Sequence, residues 1–338
     1  MADINAQYNQ LLQPSSPLLL DIAKQEGDLL ILGVGGKMGP ALAKLARQAF
    51  DLIGTERKVI GASRFSEPGL KEELEQSGIE THTVDLLNED QLQSLPDAKN
   101  VLYLAGTKFG TTGKESFTWA MNTYLPGRVA EKYRNSNIVV FSTGNVYPLT
   151  KIDLGGATEE LSPEPLGEYA QSCLGRERIF QYFSAKNNTP LFIYRLNYAN
   201  DVSYGVLLEI AKAVKEQRPI DLRMGYVNVI WQGDATEIAI RALNHCTVPA
   251  NIVNVTGPET VSVKWLAEQF GAIFHQTPVF IHQEERTALL SNATTCFDLF
   301  GYPRVLLNQM IGLIAEWVNQ GGKTINKPTH FQERQGKF

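Results

Sequence analysis

DLLILGVGGKMG, residues 28 to 39, is the stretch that decides the fold of this chain. The apolar run Leu29 to Leu32 leads into Gly33, Gly36 and Gly39, and a helical pattern, ALAKLARQAF, follows at once. A buried strand that delivers the chain to a tight turn and then to a helix N-terminus reads this way. Gly33 allows the turn. Gly36 lets backbone N–H groups approach a pyrophosphate, and Gly39 lets the helix pack on its strand, while the helix dipole favours the anion. Glycine spacings of this kind also arise in ordinary turns. The order strand, loop, helix is what favours a dinucleotide site.

Outward from this loop the chain keeps alternating. Strand patterns at 58–62, 80–84, 100–105, 137–142 and 191–196 are separated by helical patterns at 70–77, 89–95, 116–134 and 169–186. The alternation predicts an α/β fold, a doubly wound parallel sheet with right-handed crossovers. Beyond Asn200 the pattern loosens into shorter strands and helices, which predicts a smaller C-terminal lobe for substrate. We place the dinucleotide-binding domain at 1–200 and the lobe mainly at 201–338. Residues 1–27 form a loose polar arm and a short helix, and 226–247 return to the first domain. The tail after Gly321 reads as polar and extended.

Composition narrows the function classes. The 338 residues are long enough for one large α/β domain with an appended lobe, and 43% of them are hydrophobic. A net charge of −5 gives no basic footprint, so no nucleic-acid partner is expected. Cys173, Cys246 and Cys296 are widely spaced, and no histidine pair has metal-ligand spacing, so neither a disulfide framework nor a metal site is expected. The start has no basic segment followed by an apolar core, and no apolar run reaches membrane length. A cytoplasmic protein without membrane contact is the expectation.

Further motifs follow in order. VDLLN carries Asp85 and Leu86; LYLAG spans Leu102 to Gly106 with Leu104 and Ala105; WAMNTYLPG carries Asn122. FSTGNVYP holds Ser142, Thr143 and Asn145, and the proline-marked TEELSPEPLGEYAQS leads to Tyr169. Together these resemble the extended short-chain dehydrogenase/reductase family, the NAD-dependent epimerase/dehydratase group. The resemblance implies a Rossmann domain that binds NAD(P) through Gly33, Gly36, Lys37, Met38, Gly39, Ser63, Arg64, Asp85, Leu86, Leu104, Ala105, Gly106, Asn122, Ser142 and Tyr169. It implies Thr143 and Tyr169 as catalytic residues, and Thr143, Asn145, Asn197 and Tyr198 as substrate contacts. It also implies a sugar-like small-molecule substrate and a homodimer.

The sequence departs from the family in three places. The second strand ends in Ser63-Arg64 with no carboxylate before Glu67, and Lys37 lies in the glycine loop. An arginine there accommodates a ribose 2′-phosphate, so NADP is favoured over NAD. The family's Tyr-x-x-x-Lys reads Tyr169-Ala170-Gln171-Ser172-Cys173. The i, i+4 spacing puts both side chains on one helix face, where a lysine lowers the tyrosine pKa for proton exchange. A neutral thiol cannot do this. Either the cation comes from elsewhere, with Arg176 and Lys108 as candidates, or hydride chemistry is lost and a cofactor-binding regulator or partner subunit remains. A nucleophilic Cys173 is the weakest reading. In the lobe, GYVNVIWQGDAT keeps an acidic Asp234 but places Val227 or Asn228 where the family carries a diphosphate-clamping arginine, with Arg223 slightly displaced. A smaller substrate than a nucleotide sugar is then the better expectation.

Overall fold

The computed structural model describes residues 4–108, 110, 112–325 and 329–337. Helices α1 (Ile4–Leu11) and α2 (Ser16–Ile22) precede strand β1 (Leu29–Leu32). Helix α3 (Gly39–Leu52) leads to β2 (Val59–Ser63), α4 (Leu70–Gln76) to β3 (Glu80–Thr83), and α5 (Glu89–Ser94) to β4 (Asn100–Tyr103). Helices α6 (Glu115–Trp119) and α7 (Leu125–Lys132) lie before β5 (Asn137–Thr143), and α8 (Gly167–Asn187) before β6 (Leu191–Leu196). After α9 (Val206–Lys215) and α10 (Gln232–Arg241) comes β7 (Asn251–Val255). Helices α11 (Val263–Phe274), α12 (Thr294–Phe300) and α13 (Leu307–Asn319) complete the chain.

The strands form one sheet in the order β7-β6-β5-β4-β1-β2-β3, with every pairing parallel. Strand period two divides the core. Leu29 and Ile31 join Leu42, Ala46 and Phe50 on one face, while Leu30 and Leu32 join Val101, Tyr103 and Leu125 on the other. The chain reverses direction of winding between β1 and β4. The crevice at their carboxyl ends is where such sheets bind ligands.

A separate core, built on α9, α11 and α13, forms the lobe. Its composition redraws the expected boundaries at two points. Helix α1 is ordered and packs there rather than on the sheet: Ile4 is buried in that core, and the Tyr8 hydroxyl donates to Asp201 at 2.9 Å. The period that places Ile4, Tyr8 and Leu11 on one helix face explains why an arm that looks polar docks. The return to the sheet also extends beyond 226–247. Strand β7 pairs with β6, and Cys296 and Phe300 of α12 pack with Ala235 and Ile238 of α10 on the β1 face.

The helix expected over 116–134 is interrupted. Residues Ala120–Tyr124 form a π turn between α6 and α7, in which the Leu125 N–H reaches the Ala120 carbonyl. Pro126 has no N–H to continue an α-helical ladder, so the wider turn takes its place. The tail is anchored rather than loose, with Phe331 buried in the lobe core and Arg334 paired with Glu285 at 2.9 Å.

Candidate active site

The glycine loop is held by contacts no other residue could make. Gly33 has φ +89°, and a Cβ there would lie 2.7 Å from the Ala105 nitrogen at the end of β4. A Cβ on Gly39 would lie 2.1 Å from the Val34 carbonyl oxygen, so α3 can start this close to the loop only with glycine. Met38, at the helix N-cap, makes no side-chain capping bond, and the first turn carries no acidic residue. The first-turn N–H groups are thus left to an anion. At the same sheet edge, Ser63 pairs in register with Thr83 ahead of the exposed Asp85, and Arg64 is also exposed. Leu86 is buried.

A cleft of about 370 Å³ opens from this loop toward the lobe. It is lined by Gly36, Lys37, Met38, Gly39, Leu104 and Gly106 on the loop side, and by Ser142, Thr143, Asn145 and Tyr169 on its floor. Asn197 and Tyr198 line the lobe side. Most residues singled out in the sequence are therefore brought together. Thr143 ends β5 and accepts a bond from the Asn145 N–H at 3.2 Å. Thr143 and Cys173 both act on the Tyr169 phenol. Burial, then the adjacent Cys173, holds this phenol well above its usual value, with Arg176 opposing. Cys173 has no exposed surface, and burial pushes its thiol up as well. A nucleophilic thiol finds no support there.

Two expected cofactor contacts turn out to act beneath the cleft. Asn122 is fully buried in the π turn. Its Oδ1 accepts from the Thr107 N–H at 2.9 Å and from Arg176 Nη2 at 2.8 Å. Its Nδ2 donates to the Thr107 carbonyl at 2.9 Å and to Ser172 Oγ at 3.0 Å. These bonds fasten the loop after β4 to α8 and leave Asn122 nothing to offer a ligand. Ser142 lines the cleft, but its hydroxyl donates to Glu177 at 2.5 Å. Glu177 in turn takes a two-pronged bond from Arg195, at 2.9 and 2.6 Å, and Arg195 donates to the Tyr147 hydroxyl at 2.6 Å. This buried group supports the floor of the site.

Lys37 does not stand with Arg64. Its ammonium lies 3.6 Å from the centroid of the Tyr204 ring, on the lobe side of the glycine loop. Glu209 of α9 faces it electrostatically; burial raises that carboxyl, and both of its oxygens accept bonds from Thr329 of the tail. Lys108 also lines the cleft, 5.5 Å from the centroid of the Tyr169 ring, and burial pushes its ammonium down to about 8. Tyr204, Gln232 and Thr329 are lining residues that sequence reading missed. Only the turn-rich VSYG hinted at the first, and nothing in the tail hinted at the last.

Among the described residues, none of the positions considered for the diphosphate clamp offers a cation to the cleft. Val227 is buried and pairs with Val261, and Asn228 is buried, accepting from the Ser291 N–H at 2.8 Å. Arg223 lies outside the cleft, bound to Asp221 at 2.6 Å. Asp234 is buried and accepts from the Val305 N–H at 3.0 Å, a structural role.

Residues 29–221 match the model of the NAD dependent epimerase/dehydratase family. Among solved structures the chain is similar to a UDP-glucose 4-epimerase from Thermotoga maritima with UDP-glucose, at 15% identity and TM-score 0.71. That match covers 87% of this chain and 99% of the other. It is also similar to a UDP-glucuronic acid 4-epimerase from Bacillus cereus with UDP-glucuronic acid and NAD, at 19% identity and TM-score 0.70, again covering 87% and 99%. A Thermus thermophilus UDP-glucose 4-epimerase in complex with NAD matches at 17% identity and TM-score 0.70, covering 86% and 98%. No curated protein matches the sequence.

Proposed function

The chain belongs to the NAD dependent epimerase/dehydratase family, and from that premise we propose that it is an NAD(P)-dependent oxidoreductase or epimerase acting on a sugar-like hydroxyl. The carrying observation is that Tyr169 and Thr143 line one cleft, which begins at an uncapped helix N-terminus. Gly36, Met38 and Gly39 would hold a pyrophosphate, with Leu104, Ala105 and Gly106 behind the nicotinamide end. When bound, the dinucleotide supplies hydride acceptance and return. Thr143 orients the substrate oxygen, Tyr169 exchanges its proton, and Asn145, Asn197 and Tyr198 face the rest of the substrate.

The neighbours' UDP-sugars support a sugar substrate class. The missing arginine at Val227 and Asn228 and the modest cleft favour one smaller than a nucleotide sugar. Arg64 alone supports a preference for NADP, because Lys37 points to the lobe. Exposed Phe117, Tyr124 and Tyr182 on the α6, π-turn and α8 surface support a homodimer. Two units, the sheet domain with α10, β7 and α12 and a lobe on α9, α11 and α13, are the division we favour. Among the described residues no helix is long and apolar enough to cross a membrane.

A second reading has its own observation. Cys173 stands four residues after Tyr169, and the phenol is held protonated, which suits a cofactor-binding protein without turnover. NAD(P)H appearance, together with analysis of the product sugars for an epimerase that returns its hydride, over a panel of free and nucleotide-linked sugars separates the two. Tyr169→Phe is expected to reduce turnover about 10²- to 10⁴-fold. Tight cofactor binding with no turnover, unchanged by Tyr169→Phe, would leave the binding role standing instead.

A further inference from the structure

We propose that Lys108, delivered by the loop after β4, supplies the cation that lets Tyr169 exchange a proton, in place of a lysine on α8. The proposal rests on the oxidoreductase reading above. Its geometric basis is the clamp on Thr107. Asn122 bonds both the N–H and the carbonyl of Thr107, so the next residue leaves a backbone fixed against α8. From there the Lys108 ammonium reaches 5.5 Å from the centroid of the Tyr169 ring and lines the same cleft.

The helix itself cannot serve. Cys173 occupies the position one turn beyond Tyr169, and a neutral thiol provides no field for a phenolate. Arg176, two turns on, is committed elsewhere: Nη1 donates to the Phe141 carbonyl at 2.8 Å and Nη2 to Asn122 at 2.8 Å. Those bonds tie β5 and the π turn to α8, so Arg176 secures the frame. It adds a background positive field, and Lys108 adds the charge at the cleft.

The groups facing Lys108 are Tyr169 and Cys173 from α8 and Glu209 from α9, with Arg176 acting on Cys173 and Lys37 on Glu209. Burial makes this ammonium more acidic than an ordinary lysine, at about 8, so it still carries its charge at neutral pH. In the oxidative direction the substrate O–H bond breaks and its proton passes to the Tyr169 phenolate. A C=O bond would form as the same carbon gives up hydride, which an oxidised dinucleotide, when bound, would accept. Lys108 forms no bond in this step. Its charge stabilises the phenolate that must exist beforehand.

The test needs neither substrate nor cofactor. Tyr169 is replaced by 3,5-difluorotyrosine, whose more acidic phenol titrates where the protein is stable, and its ionisation is followed by ultraviolet difference spectroscopy. Lys108→Met is expected to raise the apparent pKa of this phenol by about one unit, while Lys108→Arg leaves it near the wild-type value. Adding Cys173→Lys to Lys108→Met is expected to bring it back down. Lys108→Gln serves if Lys108→Met does not fold. A phenol that titrates unchanged in the lysine-free variants overturns the proposal. Turnover by the native-tyrosine protein is scored separately, so loss of the oxidoreductase reading and loss of the Lys108 role give different results.

Discussion

Arg195 is withdrawn from water and Lys108 partly so, and the chain treats them in opposite ways. Arg195, 2% exposed, meets Glu177 through two parallel bonds and Tyr147 through a third. Its charge is stabilised: desolvation is the largest single influence, but the bonds and charges of Glu177 and Tyr147 together outweigh it. Lys108 sits over a phenol ring near a thiol, with Glu209 acting from α9, and there desolvation wins. A charge that holds a fold together is neutralised where it stands. A charge kept at a cleft where desolvation outweighs the groups around it is held for something that arrives later. Buried ion pairs of the first kind are costly to break, and cations of the second kind are costly to keep.

The largest effect should follow from breaking the first arrangement. Glu177→Ala leaves Arg195 buried without its carboxylate and takes the acceptor from Ser142, so a loss of about 3–5 kcal/mol is expected in urea unfolding. Adding Arg195→Met should recover most of that loss, because the stranded charge is then removed too. A single variant within about 1 kcal/mol of wild type would mean that water reaches Arg195, and the contrast with Lys108 would collapse.

The inner arrangement was almost invisible in the sequence, whereas the cofactor edge was plain. Gly33, Gly36 and Gly39 act through local backbone geometry, and local geometry is written in neighbouring residues. The alternation that gave β1 to β6 is equally local. Strand β7 was legible as a short strand but its place in this sheet was not, because it lies some fifty residues beyond β6 and belongs to the sheet only through pairing with that strand. Asn122 and Ser142 were legible as residues near a cofactor but not in their duty, because their partners, Thr107, Arg176 and Glu177, come from other elements. The direction of Lys37 depends on Tyr204 and Glu209, far along the chain. Thr329 enters the cleft because the tail is pinned by Glu209, Glu285 and the lobe core, none of which marks the tail in advance.

Asn122 ties the Arg176 frame to the cleft, since it holds Arg176 on one side and the backbone ahead of Lys108 on the other. Asn122→Ala strands the Thr107 N–H and one guanidinium arm, and a loss of about 2 kcal/mol is expected in urea unfolding. The same variant should release the loop, seen as faster amide exchange at Thr107 and Lys108 than in Glu177→Ala at matched stability. Equal exchange in both variants would show that the clamp does not position Lys108.

The smallest effect has the opposite sign. The Lys108 ammonium has a folded value of about 8, below the ordinary lysine range near 10.4. The unfolded chain therefore holds this proton more tightly, and the wild type bears the cost of the buried charge at every pH below about 8. That cost fades as pH rises from about 8 to about 10.5, where both states lose the proton. Lys108→Met removes the charge but keeps most of the side-chain volume. It should be more stable than wild type by about 1 kcal/mol at pH 7, a figure reduced for the side chain's partial exposure. The advantage should shrink steadily above pH 8. Denaturant unfolding at pH 7, 8, 9 and 10 measures it directly. An advantage that grows with pH, or a Lys108→Met variant less stable than wild type at pH 7, would place Lys108 with Arg195 as a cation that holds the fold.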